Sequence, residues 1–214
     1  MKQINLMIFD FDGTLVNSGG DIAASVNYTL ENLGIPAMEP EVIIDFVGDG
    51  VKKLIERSLG HDCQDQFDEA MKIFTAYYSE HILDTTTFYP GVTDILQHFQ
   101  DKKKVIITNK RYSFTKTIAE ALDMEKYFDD IIGEDSTPYK KPDLRLLSPL
   151  MERFGAGCDQ TVVIGDGIND ILLAKNTGVL SCAFLNGLGH RDILLAQRPD
   201  FIYESLLELR SLFC

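Results

Sequence analysis

The sequence predicts an α/β protein: a parallel sheet with helices on both faces, interrupted near its start by an all-helical insertion. Three observations predict it. From about residue 90 onward, short apolar runs of strand type alternate with segments of helical periodicity. One further apolar run, Ile4 to Phe9, stands alone near the N-terminus. Between them, about residues 17–84 read as helical with no convincing strand, too long for a connection within a sheet. The expected division is residues 1–15 and 86–214 for the sheet-bearing core, and 16–85 for the helical segment.

Ile4 to Phe9 is a buried strand that carries Asp10 and Asp12 to its end, where Gly13-Thr14 turns the chain away. Residues two apart on a strand face the same way, although the bend at the tip modifies this. Two such carboxylates repel each other, and burial raises their pKa values unless a cation offsets the charge. A metal, a shared proton, or both would resolve the conflict. A polar turn that merely caps the strand is the alternative. A metal-bound carboxylate stays ionised and can act as a nucleophile while its neighbour handles the proton.

Past Thr14 the period changes. Asp21 is expected to cap a helix that carries Ile22, Val26, Leu30 and Leu33 inward and stops at Gly34. Ile35-Pro36 and Pro40 mark a loop, and a short helix follows near residues 41–46. Gly48-Asp49-Gly50 breaks the chain. Val51, Leu54, Ile55 and Leu59 form the next helix, ended by Gly60. Phe67, Ala70, Phe74, Tyr77 and Ile82 mark a longer amphipathic one.

Tyr89-Pro90-Gly91 opens a helix with Val92, Ile95, Leu96 and Phe99 inward. Lys102-Lys103-Lys104 reads as its solvated end, favourable to the helix dipole. Val105 to Ile107 is a buried strand running into Thr108-Asn109-Lys110. A helix over about 113–122 and a short strand at Ile131-Ile132 precede the loop holding Lys140-Lys141-Pro142. Residues 144–154 have helical periodicity but contain Pro149. That helix either kinks there or starts late with Ser148 as cap, and the late start is preferred. Thr161 to Ile164 is a strand that runs into Gly165-Asp166, with Asp170 in the first turn of a helix that closes at Gly178. Ser181 to Leu185 is a fourth core strand, Asn186-Gly187-Leu188-Gly189 a flexible loop, and Phe201-Ile202 a short last strand. Ser205 caps a terminal helix.

Composition narrows the function. The formal charge of −13 weighs against nucleic acid or an anionic membrane as partner. An anionic small molecule stays open, because a local site with Lys and Mg²⁺ can outweigh the global field. No apolar run approaches membrane-spanning length, and no secretory pattern is visible. Cys63, Cys158, Cys182 and Cys214 lack zinc spacing and read as buried reduced thiols, so a cytosolic location is expected. His61, His81, His98 and His190 are isolated and read as surface or helix residues.

In an open parallel sheet the site lies at the carboxyl ends of the strands. This chain places Asp10 and Asp12 at the first such end and Thr108 and Asn109 at the second. A loop adds Lys141, and the next strand end adds Asp166 with Asp170 four residues on. Several carboxylates with one lysine suit a hard divalent cation and a phosphoryl group. A hydroxyl from Thr108 and the ammonium of Lys141 can hold non-bridging oxygens. Each residue alone has a bland explanation. Their joint appearance at successive strand ends does not.

Asp10-Phe11-Asp12-Gly13-Thr14, Thr108-Asn109, Lys141-Pro142 and Gly165-Asp166 with Asp170 occur in order, and with them the chain resembles the haloacid dehalogenase superfamily of phosphohydrolases. The likeness runs from residue 3 to the C-terminal helix. It implies a Rossmann-like core, with the helical segment as a type 1 cap over the site. It also implies that Asp10 attacks phosphorus to form an aspartyl-phosphate, and that Asp12 protonates the leaving alcohol and then activates water. Thr108, Asn109 and Lys141 would form the phosphate-binding set, Thr108 and Lys141 on the phosphoryl oxygens and Asn109 beside them. Mg²⁺ would be held by Asp10, the Asp12 main-chain carbonyl, Asp166 and Asp170. The acid at Asp12 makes carbon–halide hydrolysis unlike this chain, since dehalogenases of the family lack it.

Val47-Gly48-Asp49-Gly50 with Leu54, Tyr89-Pro90-Gly91-Val92 and Thr108-Asn109-Lys110 are similar to segments of phosphoglycolate phosphatases. The glycines would let cap backbone approach a small substrate, or they only form a helix-breaking turn. Lys52, Lys53 or Lys110 could meet a substrate carboxylate. Two positions depart from the family's pattern: Leu144 stands where a second proline is usual, and Gly167 replaces a Ser or Thr. The expectation is a phosphomonoesterase acting on a small phosphorylated metabolite, with 2-phosphoglycolate foremost, as monomer or homodimer. Its rivals are a phosphatase of sugar phosphates, pyrophosphate or nucleotides, a phosphoglucomutase, and a catalytically silent phosphate-binding module.

Overall fold

A computed structural model describes residues 1–214. The first strand, β1 (Leu6–Phe9), is followed by the two-residue β2 (Val16–Asn17). Four helices come next: α1 (Gly19–Asn32), α2 (Pro40–Ile44), α3 (Val51–Leu59) and α4 (Phe67–His81). β3 (Thr87–Phe88) brings the chain back and pairs antiparallel with β2. Strands and helices then alternate: α5 (Val92–His98), β4 (Lys103–Ile107), α6 (Tyr112–Ala121), β5 (Asp130–Ile132), α7 (Ser148–Phe154), β6 (Thr161–Gly165) and α8 (Ile168–Thr177). β7 (Leu180–Phe184), α9 (Arg191–Ala196), β8 (Phe201–Tyr203) and α10 (Leu209–Leu212) complete the chain.

The six longer strands form one parallel sheet in the order β5-β4-β1-β6-β7-β8. β1 is central because all four of its residues are apolar and both faces are covered. Leu6 and Ile8 pack with Val105, Ile107 and Val163 against Leu150 of α7 and Leu173 of α8. Met7 and Phe9 point the other way, with Ile106 and Ile164, toward α5 and α6. The period of two therefore builds two apolar layers from one strand. The sheet reverses its winding beside β1, placing the ends of β4, β1 and β6 next to one another.

Several local expectations are corrected. α1 begins at Gly19, so Asp21 sits in its first turn rather than at the cap. Its buried carboxylate accepts hydrogen bonds from the main-chain N–H and the hydroxyl of both Thr85 and Thr86. Asp21 thus ties the entry of the helical segment to its exit. Lys103 and Lys104 belong to β4 rather than to a solvated helix end. Lys104 is buried, and its ammonium donates to Phe99 O at 2.6 Å and Lys102 O at 3.1 Å, carbonyls of the turn that joins α5 to β4. The inward stripe of α4 runs through Ala70, Phe74 and Tyr78, while Tyr77 lies outside it and stacks on Tyr28.

α7 starts late, at Ser148, with Leu147 as its cap and Gly155 in the left-handed region at its end. Of the four cysteines only Cys182 is buried; Cys158 is exposed. No helix is long and apolar enough to cross a membrane.

Candidate active site

Phe9 is level with Ile106 on one side and Ile164 on the other, and Asp10 N donates to Ile164 O at 2.9 Å. That register brings the residues just past β1, β4 and β6 to one place. Carboxylate oxygens of Asp10, Asp166 and Asp170 lie within 4.8 Å of one another. Lys141 Nζ stands 2.6 Å from Asp10 Oδ1 and 2.7 Å from Asp170 Oδ1, so one ammonium bridges two of the three acids.

The chain fixes these acids from several sides. Asp166 Oδ1 accepts from the Thr14 hydroxyl at 2.7 Å, and its Oδ2 accepts from Leu188 N at 2.8 Å and Gly189 N at 3.1 Å. The loop read as flexible from its glycines is therefore anchored on Asp166. Asp170 Oδ2 accepts from Gly167 N at 3.0 Å, as a carboxylate in the first turn of α8 should. Gly13 has a φ of 82°, and a Cβ there would fall 2.0 Å from Asp166 Oδ2. Only glycine fits the turn after Asp12.

Charge is out of balance in this cluster. Three carboxylates face one lysine, and all are withdrawn from water. Burial pushes Asp10 and Asp166 up to about 7, with repulsion from Asp170 adding for the first and from Asp10 for the second. Asp170 is raised too, chiefly by burial, against the pull of Lys141. Desolvation alone would lower Lys141, but Asp10 and Asp170 outweigh it and hold the ammonium charged. A hard divalent cation brings the charge the cluster lacks, and clustered oxygen donors are the set such ions prefer. The residues present fit that group.

Asp12 does not join the triad. Its carboxylate accepts from the Ser18 hydroxyl at 2.5 Å and from Lys110 Nζ at 3.1 Å. Lys110 Nζ also meets the Tyr78 hydroxyl at 2.5 Å. The bend at the end of β1 thus separates the two acids that strand geometry would pair. Asp10 goes to Lys141 and Asp12 to Lys110, so no proton is shared between them.

Thr108 is buried, and its Oγ1 accepts from Lys110 N at 3.1 Å while its own proton goes to no protein group. Asn109 is occupied differently. Its Nδ2 donates to Gly48 O at 2.9 Å and Lys141 O at 3.3 Å, and its Oδ1 accepts from Lys141 N at 3.0 Å. The amide has no hydrogen left for a phosphoryl oxygen. It positions Lys141 and docks the Gly48 loop.

Between the strand ends and the helical segment lies a cavity of about 70 Å³. Asp10, Asp12, Thr108 and Lys141 form its floor, and Val47, Leu54 and Phe74 contribute apolar wall. A second recess of about 250 Å³, on the other side of Gly48, also reaches Asp10 and Lys141. Gly50, at φ 91°, lets its loop pass close to Asn109 O. Of the lysines proposed to meet a substrate, neither Lys52 nor Lys53 lines the cavity, and Lys53 pairs with Glu56. Lys110 does line it. Residues that sequence reasoning missed here are Ser18, Tyr78 and Arg111. Tyr78 was reachable as the residue four after Phe74. Arg111 follows Lys110 directly, but nothing in the sequence distinguishes it from a solvated cation.

Comparison with known proteins agrees with this arrangement. The family model of haloacid dehalogenase-like hydrolases matches residues 7–184. A phosphoglycolate phosphatase of Vibrio parahaemolyticus is 34% identical, over 97% of this chain and 95% of its own length. One from Chromobacterium violaceum is also 34% identical, over 99% and 97%. Among solved structures, a predicted phosphoglycolate phosphatase from Haemophilus somnus superposes with a TM-score of 0.94 at 27% identity, covering 99% of each chain. Sequence, fold and the grouping of polar residues at the strand ends agree: the chain belongs to the haloacid dehalogenase-like hydrolases.

Proposed function

We propose that this protein is a Mg²⁺-dependent, cytosolic phosphomonoesterase whose preferred substrate is 2-phosphoglycolate, and that α1 to α4 form a cap over its site. The observation that carries the reading is Asp10, held by Lys141 at 2.6 Å on the floor of a cavity that also holds Thr108 and Asp12.

The placement of these groups supports one course of reaction. Asp10 Oδ attacks phosphorus and the new O–P bond forms as the ester O–P bond breaks; Asp12, which takes up a proton from solvent or from the substrate monoanion before attack, passes it to the departing oxygen. Lys141 and the free hydroxyl proton of Thr108 hold the non-bridging oxygens as charge shifts onto them. Water then attacks the aspartyl-phosphate while the Asp12 carboxylate takes its proton, and inorganic phosphate leaves. Mg²⁺ held by Asp10, the Asp12 carbonyl, Asp166 and Asp170 would supply charge neutralisation for the incoming phosphate.

The substrate assignment draws support from the names of the relatives and from size. One water needs about 10–15 Å³ of cavity on this measure. The 70 Å³ cavity therefore has room for roughly five to seven such groups. That suits an acid of two carbons better than a nucleotide. The larger recess beyond Gly48 favours a second reading, a phosphatase of broader scope that also accepts sugar phosphates.

The test is phosphate release from 2-phosphoglycolate, pyrophosphate, sugar phosphates and nucleotides, each with Mg²⁺ and with chelator. A clear lead for 2-phosphoglycolate is the expected result. Turnover below that of ordinary sugar phosphates would overturn the substrate assignment, and no release from any ester would overturn the enzymatic one.

A further inference from the structure

The cations around the site are already committed, with one exception. Lys141 is held by Asp10 and Asp170, and Lys110 by Asp12 and the Tyr78 hydroxyl. In the second recess Arg57 pairs with Asp49, and His190 lies 3.1 Å from Asp45. Arg111 lines the same cavity as Asp10 and Asp12, yet its guanidinium has no ion pair and donates no hydrogen bond to the protein. Five of the six other arginines form an ion pair with a carboxylate: Arg57, Arg145, Arg153, Arg191 and Arg210.

The apolar part of the cavity sharpens the point. Val51, Leu54, Phe74 and Phe114 share its cavity, and none offers a hydrogen-bond acceptor from its side chain. Arg111 is half-buried, and a guanidinium in such a cavity gains from a planar anion that takes two of its N–H groups. The backbone of Arg111 is fixed: it is the residue before α6, and its carbonyl accepts from Thr115 N at 3.0 Å. The anchor is rigid while the charge is free.

We infer that Arg111 is the specificity-determining residue of this site, and that it binds a carboxylate on the leaving group of the substrate while Lys141 and Thr108 bind the phosphoryl end. The inference rests on the phosphatase reading above and adds to it a chemical class: short phosphate monoesters with a second anionic group. It also explains why the substrate carboxylate does not go to Lys110. That ammonium already serves Asp12 and Tyr78. The apolar wall would leave an uncharged substrate with no reward at this end of the cavity, and Arg111 with no partner.

The experiment compares kcat/KM for 2-phosphoglycolate and for isobutyl phosphate, which keeps the shape and lacks the charge, in the wild type and in Arg111→Gln and Arg111→Lys. Wild type should prefer 2-phosphoglycolate. In Arg111→Gln the ratio of the two kcat/KM values should fall about 10- to 100-fold, mostly through KM, as expected for loss of a charged hydrogen-bonded pair. Arg111→Lys should recover part of that ratio. An unchanged ratio in Arg111→Gln, with both esters still hydrolysed, overturns the role of Arg111 and leaves the phosphatase reading intact. Equal losses on both esters overturn it as well, since the residue would then serve folding or chemistry. Failure of the wild type on both esters brings down the substrate assignment, and this inference with it.

Discussion

Lys110 Nζ lies 3.1 Å from Asp12 Oδ1, and the pair is nearly closed to solvent, with side-chain exposures of 6% and 11%. It joins two strand ends, because Asp12 follows β1 and Lys110 follows β4. Tyr78 from α4 completes it. The acid proposed for proton transfer is therefore held by Lys110 of the core and, on its other side, directly by Ser18 at the entry to the helical segment.

Removing that ammonium should be costly. Lys110→Met leaves Asp12 with Ser18 alone and strands the Tyr78 hydroxyl. Breaking a buried pair in this way is expected to cost about 3 kcal/mol. Urea denaturation checks the stability, and kcat should fall by about 10-fold or more. Tyr78→Phe removes one hydrogen bond only and should cost about 1 kcal/mol.

Asp21→Ala tests the tie between the two ends of the helical segment. Four donors lose their acceptor, the two on Thr86 in a buried setting and the two on Thr85 at the edge of solvent. Denaturant unfolding should show a loss of about 2–4 kcal/mol. A change within about 0.5 kcal/mol would contradict the role given to Asp21.

The acid cluster sets a pH dependence. Asp10 and Asp166 stand near 7 in the folded chain, against an ordinary carboxylate value of 3.8. The folded protein therefore holds more protons than the unfolded chain between those values. The stability these groups contribute is complete below the ordinary value and is lost as pH rises through about 7. With chelator present, the Tm should drop between pH 5 and pH 8. Mg²⁺ should restore it, and by more at pH 8 than at pH 5, because the acids are then ionised and ready to bind. An equal Mg²⁺ shift at both pH values would contradict the charge imbalance described for the cluster.

Much of the architecture was legible. The apolar runs of β1, β4, β6 and β7 announce a parallel sheet, and the polar residues just past them are local in sequence to the strands that carry them. What the sequence hid depends on long-range packing. Lys104 reads as a solvated cation, yet the carbonyls of Phe99 and Lys102, in the turn between α5 and β4, satisfy its ammonium. Asp21 reads as a helix cap, but its partners lie 64 and 65 residues away. Asn109 looks like a phosphate ligand until the fold brings Gly48 and Lys141 to its amide. Asp10 and Asp12 share a face on an ideal strand. The turn at Gly13 separates them, and a turn's exact course is set by contacts such as Gly13 against Asp166.

Asp10→Asn removes the carboxylate oxygen proposed to attack phosphorus and changes the side chain's size very little. Phosphate release should fall on the order of 10⁴-fold or more, with the far-UV circular dichroism of the wild type retained. Substantial turnover in a verified variant would mean that another group is the nucleophile.

The most direct measurement is to quench the enzyme with acid during turnover of 2-phosphoglycolate and Mg²⁺, and to locate the bound phosphoryl group by peptide mass spectrometry. The account predicts one acid-trapped phosphoryl group, on Asp10, and none in Asp10→Asn. Phosphate released at full rate with no covalent species, or a phosphoryl group on any other residue, would contradict it.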